Sequence, residues 1–183
     1  NQQLAVFAGT YGFGRMMVNA GRSYSCGIEL SLRGKSFDNH LSWAVNWGIT
    51  HAAFKEYNDS IDGEPVSYKD KNVPFVPMHT FSAMGDYRFN LGGGKSLAVG
   101  INMQAMGKIY WDEANTYSQN LYAVLGAHVA LDLGTVSLNL WGRNLTDSRY
   151  NTFAFDSSST GTKNFFAQRG NPLQVGLDVN IHF

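Results

Sequence analysis

The 183 residues read as an all-β chain, an antiparallel meander of membrane-spanning strands on the plan of an outer-membrane β-barrel. Three observations predict it. Apolar and polar residues alternate with period two along most of the sequence, which puts each apolar set on one face of a strand. The connections between these runs are alternately short and long. The polar face is also too poor in charge for a surface that meets bulk water.

The elements follow in chain order. A partial strand covers Leu4 to Phe7. From Ser25 to Arg33, Cys26, Ile28, Leu30 and Leu32 alternate with Ser25, Gly27, Glu29, Ser31 and Arg33. From Leu41 to Thr50, Leu41, Trp43, Val45, Trp47 and Ile49 form the apolar set. Phe81, Ala83, Tyr87 and Phe89 mark the next strand, and Leu97, Val99, Ile101, Met103 and Ile109 the one after it. Leu121, Leu125, Val129 and Leu131 line one side of the following run, then Val136, Leu138 and Leu140. The last strand is the most regular, with Val175, Leu177, Val179, Ile181 and Phe183 separated by small or polar residues. The period-two pattern gives about eight strands, and no segment sustains a helical period.

Gly34 to His40, Asn90 to Ser96 and Asp132 to Thr135 are rich in Gly, Asn and Asp, the composition of hairpin turns. Between them lie longer excursions at Asn58 to Met78, Asp112 to Tyr117 and Asp156 to Lys163. Opposite the apolar rows stand mainly Gly, Ser, Asn, Gln and Ala, as a hydrated lumen requires. Aromatic residues gather near strand ends (Trp43, Tyr57, Tyr87, Phe89, Tyr110, Trp111, Tyr150, Phe153, Phe155 and Phe183), where rings bridge hydrocarbon and headgroups. A soluble β-sandwich also alternates, but its outer face carries more charge.

Composition sets further bounds. Charged residues are 15% of the chain, aromatics 14%, and the formal net charge is zero, so no nucleic-acid partner held through phosphates is expected. Cys26 is the single cysteine, which excludes an internal disulfide and a thiolate metal site. No run approaches the roughly 20 apolar residues of a membrane helix. The opening Asn-Gln-Gln-Leu has neither an initiator Met nor a signal-peptide pattern, and reads as the continuation of a longer chain.

Several stretches resemble the C-terminal part of TonB-dependent outer-membrane receptors, in a form similar to Bacteroidota sequences. They are N-A-G-R-S-Y-S-C-G-I-E-L from Asn19, W-G-I-T-H-A from Trp47 and V-P-F-V-P-M-H-T-F-S from Val73. G-K-I-Y-W-D-E from Gly107, W-G-R-N-L-T-D-S-R-Y from Trp141 and the final strand complete the set. The resemblance implies a barrel of about 22 strands around an N-terminal plug, importing a large, scarce nutrient with energy delivered through the TonB complex. These residues, 1–183, would be its C-terminal segment, with plug and TonB box outside them. An iron chelate or similar metal complex is favoured as cargo, with haem, cobalamin or a glycan as alternatives. Val175, Leu177, Val179, Ile181 and Phe183 resemble the terminal signal read by the outer-membrane barrel-assembly machinery. Membrane lipid and lipopolysaccharide, the remaining barrel and plug, and TonB are the implied partners. A complete eight-stranded barrel with an adhesive or structural role, and a porin-like fragment without a plug, are the other readings. An interior rich in Gly and Ala fits a wide lumen better than a small filled barrel.

The candidate ligand-binding residues lie on the long loops and upper strand ends: Tyr57, Asp59, Asp62, Glu64, Tyr68, Trp111, Asp112 and Glu113. Lys108, Arg143 and Arg169 are placed toward the lumen, against the plug. His40, His51, His79, His128 and His182 are too dispersed for a metal centre. No nucleophile and base stand in a catalytic spacing, so neither enzymatic activity nor a cofactor is expected. Gly9 to Arg15 is glycine-rich but lacks the features of a phosphate loop. The sequons at Asn58 and Asn144 are incidental in a bacterial barrel.

This layout fixes an orientation, with the short turns in the periplasm and the long loops outside the cell. Protease added to intact cells is expected to cut within Asn58 to Met78, Asp112 to Tyr117 or Asp156 to Lys163. Cleavage beside Gly93 in unbroken cells would reverse the assignment.

Overall fold

The computed structural model describes residues 3–7, 15–19, 21–61, 64–156 and 165–182. In chain order the strands are β1 (Gln3–Phe7), β2 (Arg15–Asn19), β3 (Arg22–Ser36), β4 (Leu41–Glu56) and β5 (Asn58–Ile61). They continue with β6 (Glu64–Ser67), β7 (His79–Gly92), β8 (Lys95–Met106), β9 (Ile109–Tyr110) and β10 (Ser118–Gln119). The last are β11 (Tyr122–Asp132), β12 (Val136–Arg143), β13 (Asn151–Asp156), β14 (Phe165–Arg169) and β15 (Gln174–Ile181). Among the described residues there is no helix.

Seven long strands form one antiparallel sheet in the order β15-β12-β11-β8-β7-β4-β3, each beside its neighbour in the meander. The eight expected strands correspond to β1, β3, β4, β7, β8, β11, β12 and β15. β2, the partner of β1, was not foreseen, and neither were the two-stranded ribbons β5-β6, β9-β10 and β13-β14. They lie beyond the membrane zone, where neither face meets lipid, and so their sequences carry no sustained alternation. Among the described residues β3 and β15 pair with one long neighbour each. The sheet is therefore an open sector and not a closed eight-stranded barrel.

The register explains the alternation. Ile28, Leu30 and Leu32 stand opposite Ile49, Trp47 and Val45; Val45 and Trp47 face Ala83 and Phe81. The row continues through Ile101, Ala127 and Val129 to Leu138–Val179 and Leu140–Leu177. These side chains form one continuous apolar surface, with Ile28 72% and Val175 66% accessible in the bare protein. In a bilayer that area is covered by acyl chains. The opposite face is a second unbroken set: Ser31–Asn46, Asn46–Ser82 and Ser82–Gln104 stand in register. It continues in Asn139–Asp178 and Ser137–Asn180.

The short turns are built as their composition requires. Gly92, Gly93 and Gly94 all adopt positive φ, which glycine alone does without steric cost. Phe37, Asp38 and Asn39 do the same at φ of 53°, 53° and 66°. The His40 amide closes that turn on the Phe37 carbonyl at 2.9 Å, and the Phe37 ring rests near Tyr87. The turns are tighter than expected, because β3 runs on to Ser36 and β7 to Gly92. Trp43 covers Gly34 at this end, and the Tyr87 ring packs tilted against Phe89. At the other end Tyr24 stands on the same outward row. Ten residues separate Tyr24 from Gly34, about 33 Å of strand and about 25 Å of height at a tilt near 40°, the thickness of the apolar band.

The buried side chains are elsewhere. Ala52, Phe54, Tyr57, Tyr68 and Val73 form one core and Ile109, Trp111 and Ala154 another. Both sit at the long-loop end, because membrane-zone side chains use lipid or lumen as their surroundings. Arginine at Leu138 or Val179 is expected to lower folding stability by roughly 2–4 kcal/mol. At Ser137 or Asn180 the cost should be much smaller in the same bilayer titration. Equal penalties would mean that the faces are misassigned.

Candidate functional site: the outer loops

The outer end is organised by the segment between β6 and β7. Tyr68 to Met78 contains Pro74 and Pro77, which have no amide hydrogen and so cannot continue a regular ladder. The segment instead bridges two strands. On one side the Phe54 amide donates to the Lys71 carbonyl and the Val73 amide to the Ala52 carbonyl, each at 3.0 Å. On the other, the Phe75 amide donates to the Tyr110 carbonyl at 2.9 Å and the Met78 amide to the Lys108 carbonyl at 3.1 Å. An asparagine pair fastens the bridge. Asn115 Oδ1 accepts from the Asn72 amide at 2.7 Å, and its Nδ2 donates to the Asn72 carbonyl at 2.9 Å. Asp112 closes the same loop by accepting from the amides of Thr116 and Tyr117.

A second fastening explains the N-L-T-D motif. Asn144 is buried. Its Oδ1 accepts from the Ser148 amide, and its Nδ2 donates to the Ser148 and Asn171 carbonyls at 3.0 and 2.9 Å. Asp147 Oδ1 accepts from the Leu173 amide at 3.2 Å. The motif thus ties the exit of β12 to the entry of β15 beneath the β13-β14 ribbon. An amide committed to three hydrogen bonds in a buried turn is no glycan acceptor.

The expected ligand residues divide. Tyr57, Tyr68, Asp59, Asp112 and Glu113 come together at the first core, where Tyr57 and Tyr68 pack with ring centroids 5.1 Å apart. Burial raises the pKa of Tyr57, Tyr68 and Glu113, and the neighbouring carboxylates add to each shift. Tyr57 and Trp111, expected in the membrane girdle, are buried instead, as is Tyr68. Trp111 belongs to the second core, against Phe75 at 5.7 Å. Glu64 is exposed on β6, and Asp62 lies outside the described residues. So do Phe183, the tip Ser157 to Lys163 and most of Gly9 to Arg15, while Val175, Leu177, Val179 and Ile181 lie exposed on the outward row.

The basic residues also divide. Arg143 stands on the lumenal row, its guanidinium 4.8 Å from the Trp141 ring. Lys108 covers Tyr110 at 4.7 Å. Arg169 is on the outer β14 ribbon and so is not part of the lumenal wall. The lumenal face also carries a His128–Asp86 pair at 3.1 Å and a cleft of about 320 Å³ lined by residues that include Ser31, Asn46, Ser82, Gln104 and Tyr150.

An outer aromatic ladder was missed. Phe75 stacks on Phe153 at 5.6 Å and 7°, Phe155 on Phe166 at 5.4 Å, and Tyr117 on Phe165 at 4.9 Å. Phe153 and Phe155 belong here and not at a lipid interface. The signal was present in F-A-F and the adjacent pair Phe165-Phe166, but nothing local said which strands would meet. Phe75, Phe165 and Phe166 are exposed. The arrangement offers ring faces and carboxylates on a braced frame. Among the described residues no group of three or more His, Cys, Asp or Glu side chains is placed to hold a metal ion.

Residues 1–145 match the family described as TonB dependent receptor-like, beta-barrel. The chain belongs to that family. Its place is the bacterial outer membrane, and its relatives are receptors and transporters, not enzymes. It is 30% identical over 169 residues to the ferrioxamine receptor of Yersinia enterocolitica, covering 88% of this chain and 22% of that protein. It is 26% identical over 132 residues to the ferrichrome outer membrane transporter/phage receptor of Escherichia coli K12, covering 67% and 18%. The chain thus spans about a fifth of the length of these curated relatives. Among solved structures, the ferric yersiniabactin uptake receptor FyuA from Yersinia pestis superposes with a TM-score of 0.76 at 24% identity, over 92% of this chain and 25% of that one. The siderophore receptor PiuA from Acinetobacter baumannii gives 0.75 at 22% identity, over 98% and 24%. Both likenesses confirm the barrel fold.

A half-buried acid makes the outer core sensitive to pH. Glu113 has its pKa raised chiefly by burial, opposed by a hydrogen bond from its own backbone and reinforced by Asp112 and Asp59. The folded state therefore holds the proton to higher pH than the unfolded chain. Stability is greatest at acid pH and is lost as pH rises above the ordinary carboxyl range. In TonB-dependent receptor carrying Glu113→Gln, amide exchange across Ala52 to Val73, corrected for intrinsic rate, should slow at pH 7.5 and stay unchanged at pH 4. Faster exchange at pH 7.5 would contradict the burial argument.

Proposed function

We propose that residues 1–183 are the C-terminal sector of the barrel of a TonB-dependent receptor that imports an iron chelate across the outer membrane. The rest of the barrel and a plug would be supplied by the remainder of the receptor, and the TonB complex would energise release. The outer platform carries this reading. It combines exposed rings and carboxylates, held by the asparagine fastenings on a rigid sheet, and loops on a rigid scaffold are where binding residues concentrate. Relatives named for ferrioxamine, ferrichrome and ferric yersiniabactin support the choice of cargo class. In this reading Asp59, Glu64, Asp112 and Glu113 face the cargo with Phe75 and Phe166, whereas Tyr57, Tyr68 and Trp111 hold the platform in shape. The nonpolar strand row of β15 would serve in assembly.

Deletion of the gene should abolish growth on one class of ferric chelate as sole iron source and leave growth on haem, cobalamin and glycans intact. A defect confined to a polysaccharide would remove the iron-chelate assignment. In the same strain Phe75→Ala with Phe166→Ala should raise the half-saturation for uptake about fivefold to a hundredfold, since each of the two stacked rings contributes roughly 0.5–1.5 kcal/mol. Unchanged uptake would exclude the ladder from cargo contact.

A further inference from the structure

The first outer core holds a polar group that the fold itself does not use. Tyr57 is 3% exposed, and its ring packs against Phe54 at 5.0 Å and Tyr68 at 5.1 Å. Its hydroxyl has no hydrogen-bond partner among the described residues. Buried hydroxyls are normally paired, so an orphaned one calls for a specific cause. The carboxylates whose charge acts on this hydroxyl are Glu113 and Asp59. Asp59 stands on β5, just beyond Tyr57. Glu113 comes from the turn after β9, where Ala114 packs against the same core.

These carboxylates are not neutralised from within. The ion pairs among the described residues are Arg22–Glu56 and His128–Asp86, so no basic side chain is paired with Asp59, Asp112 or Glu113. Lys55 and Lys108 lie over the rings of Tyr24 and Tyr110 instead. Burial comes first in raising the pKa of Tyr57, Tyr68 and Glu113, and the charges that add to it are those of Asp59, Asp112 and Glu113. A bound cation would relieve that repulsion.

A metal ion does not suit the place. Asp112 spends both carboxylate oxygens on the amides of Thr116 and Tyr117. The two acids left are too few for a hard cation, which takes about six or more oxygens. An alkylammonium asks less: a carboxylate, an accepting hydroxyl and the face of a ring.

We propose that Asp59, Glu113 and the Tyr57 hydroxyl form a subsite for a protonated primary amine carried at a free end of the imported chelate. If the platform receives an iron chelate, as proposed above, this subsite selects one that bears an amine and discriminates against its acylated form. The Phe75 ladder would take the body of the cargo, and the acidic subsite its charged end.

The test uses the whole receptor in nanodiscs at pH 7.5 and has two arms. In the first, millimolar pentylammonium should slow amide exchange across Ala52 to Val73, whereas pentanol, of equal length but uncharged, should not. Tyr57→Phe, which removes only the orphaned hydroxyl, should weaken the slowing. Asp59→Asn with Glu113→Gln should abolish it, each variant being compared with its own ligand-free rate. In the second arm, calorimetry compares a linear ferric trihydroxamate ending in a free amine with its N-acetylated form. The amine form should bind about tenfold to a hundredfold tighter, the scale of a charge-assisted hydrogen bond. The double carboxylate variant should bind both forms alike. Protection by pentylammonium with neither chelate bound would uphold the subsite and remove the iron-chelate reading. Exchange unchanged by pentylammonium would overturn the subsite, and equal affinity of the unaltered receptor for the two chelates would overturn its part in selecting cargo.

Discussion

A backbone amide facing hydrocarbon must be paired within the protein, because lipid offers no partner. The sheet from β3 to β15 answers that constraint with a ladder from strand to strand. Once the ladder is fixed, side chains have two destinations. Every second residue meets acyl chains and its neighbours meet the lumen, so the register fixes the chemistry of both faces together. Sliding β4 by a single residue would present Asn46 to lipid and turn Trp47 toward the lumen. The turns Phe37 to Asn39 and Gly92 to Gly94 hold the register at one end, and the outer fastenings hold it at the other.

The same constraint explains why the buried residues lie outside the membrane. In the spanning zone lipid and lumen stand in for a core, and large side chains remain accessible on the bare sector. Above it the strands enter water and must shield their apolar surface against one another. Phe54, Tyr57, Tyr68, Trp111 and Ile109 do this, with the bridge from Tyr68 to Met78 laid across β4 and β9. The platform is a small water-soluble fold mounted on a membrane sheet, and its shape depends on a few polar contacts. Asn72, Asn115 and Asn144 carry most of these, and each replaces a ladder bond that the irregular backbone cannot make.

The strands of the sheet were legible because their environment imposes a period on the sequence. Val175 to Ile181 and Ile28 to Leu32 could be read residue by residue. The outer ribbons were not, since β9 and β10 contribute two residues each and pair through Ile109, Tyr110, Ser118 and Gln119 alone. Such short pairings are set by the loops around them. The candidate site was half legible for the same reason. Tyr57, Tyr68 and Trp111 marked the right loops, but whether a ring supports a platform or lies on its surface depends on contacts distant in sequence. Phe75 meets Phe153 across 78 positions, and no local pattern records that. The N-L-T-D motif showed the opposite case, visible as a resemblance with a role that only its hydrogen bonds reveal.

The central claim is that one face of this sheet lies in lipid and the other in a hydrated lumen. Spin labels placed singly from Leu125 to Leu131 along β11, in the receptor reconstituted in bilayers, test it most directly. Collision rates with oxygen should peak at Leu125, Ala127, Val129 and Leu131, and those with a water-soluble nickel chelate at Gly126, His128 and Ala130. Inverted phases, or no alternation along the strand, would contradict the account.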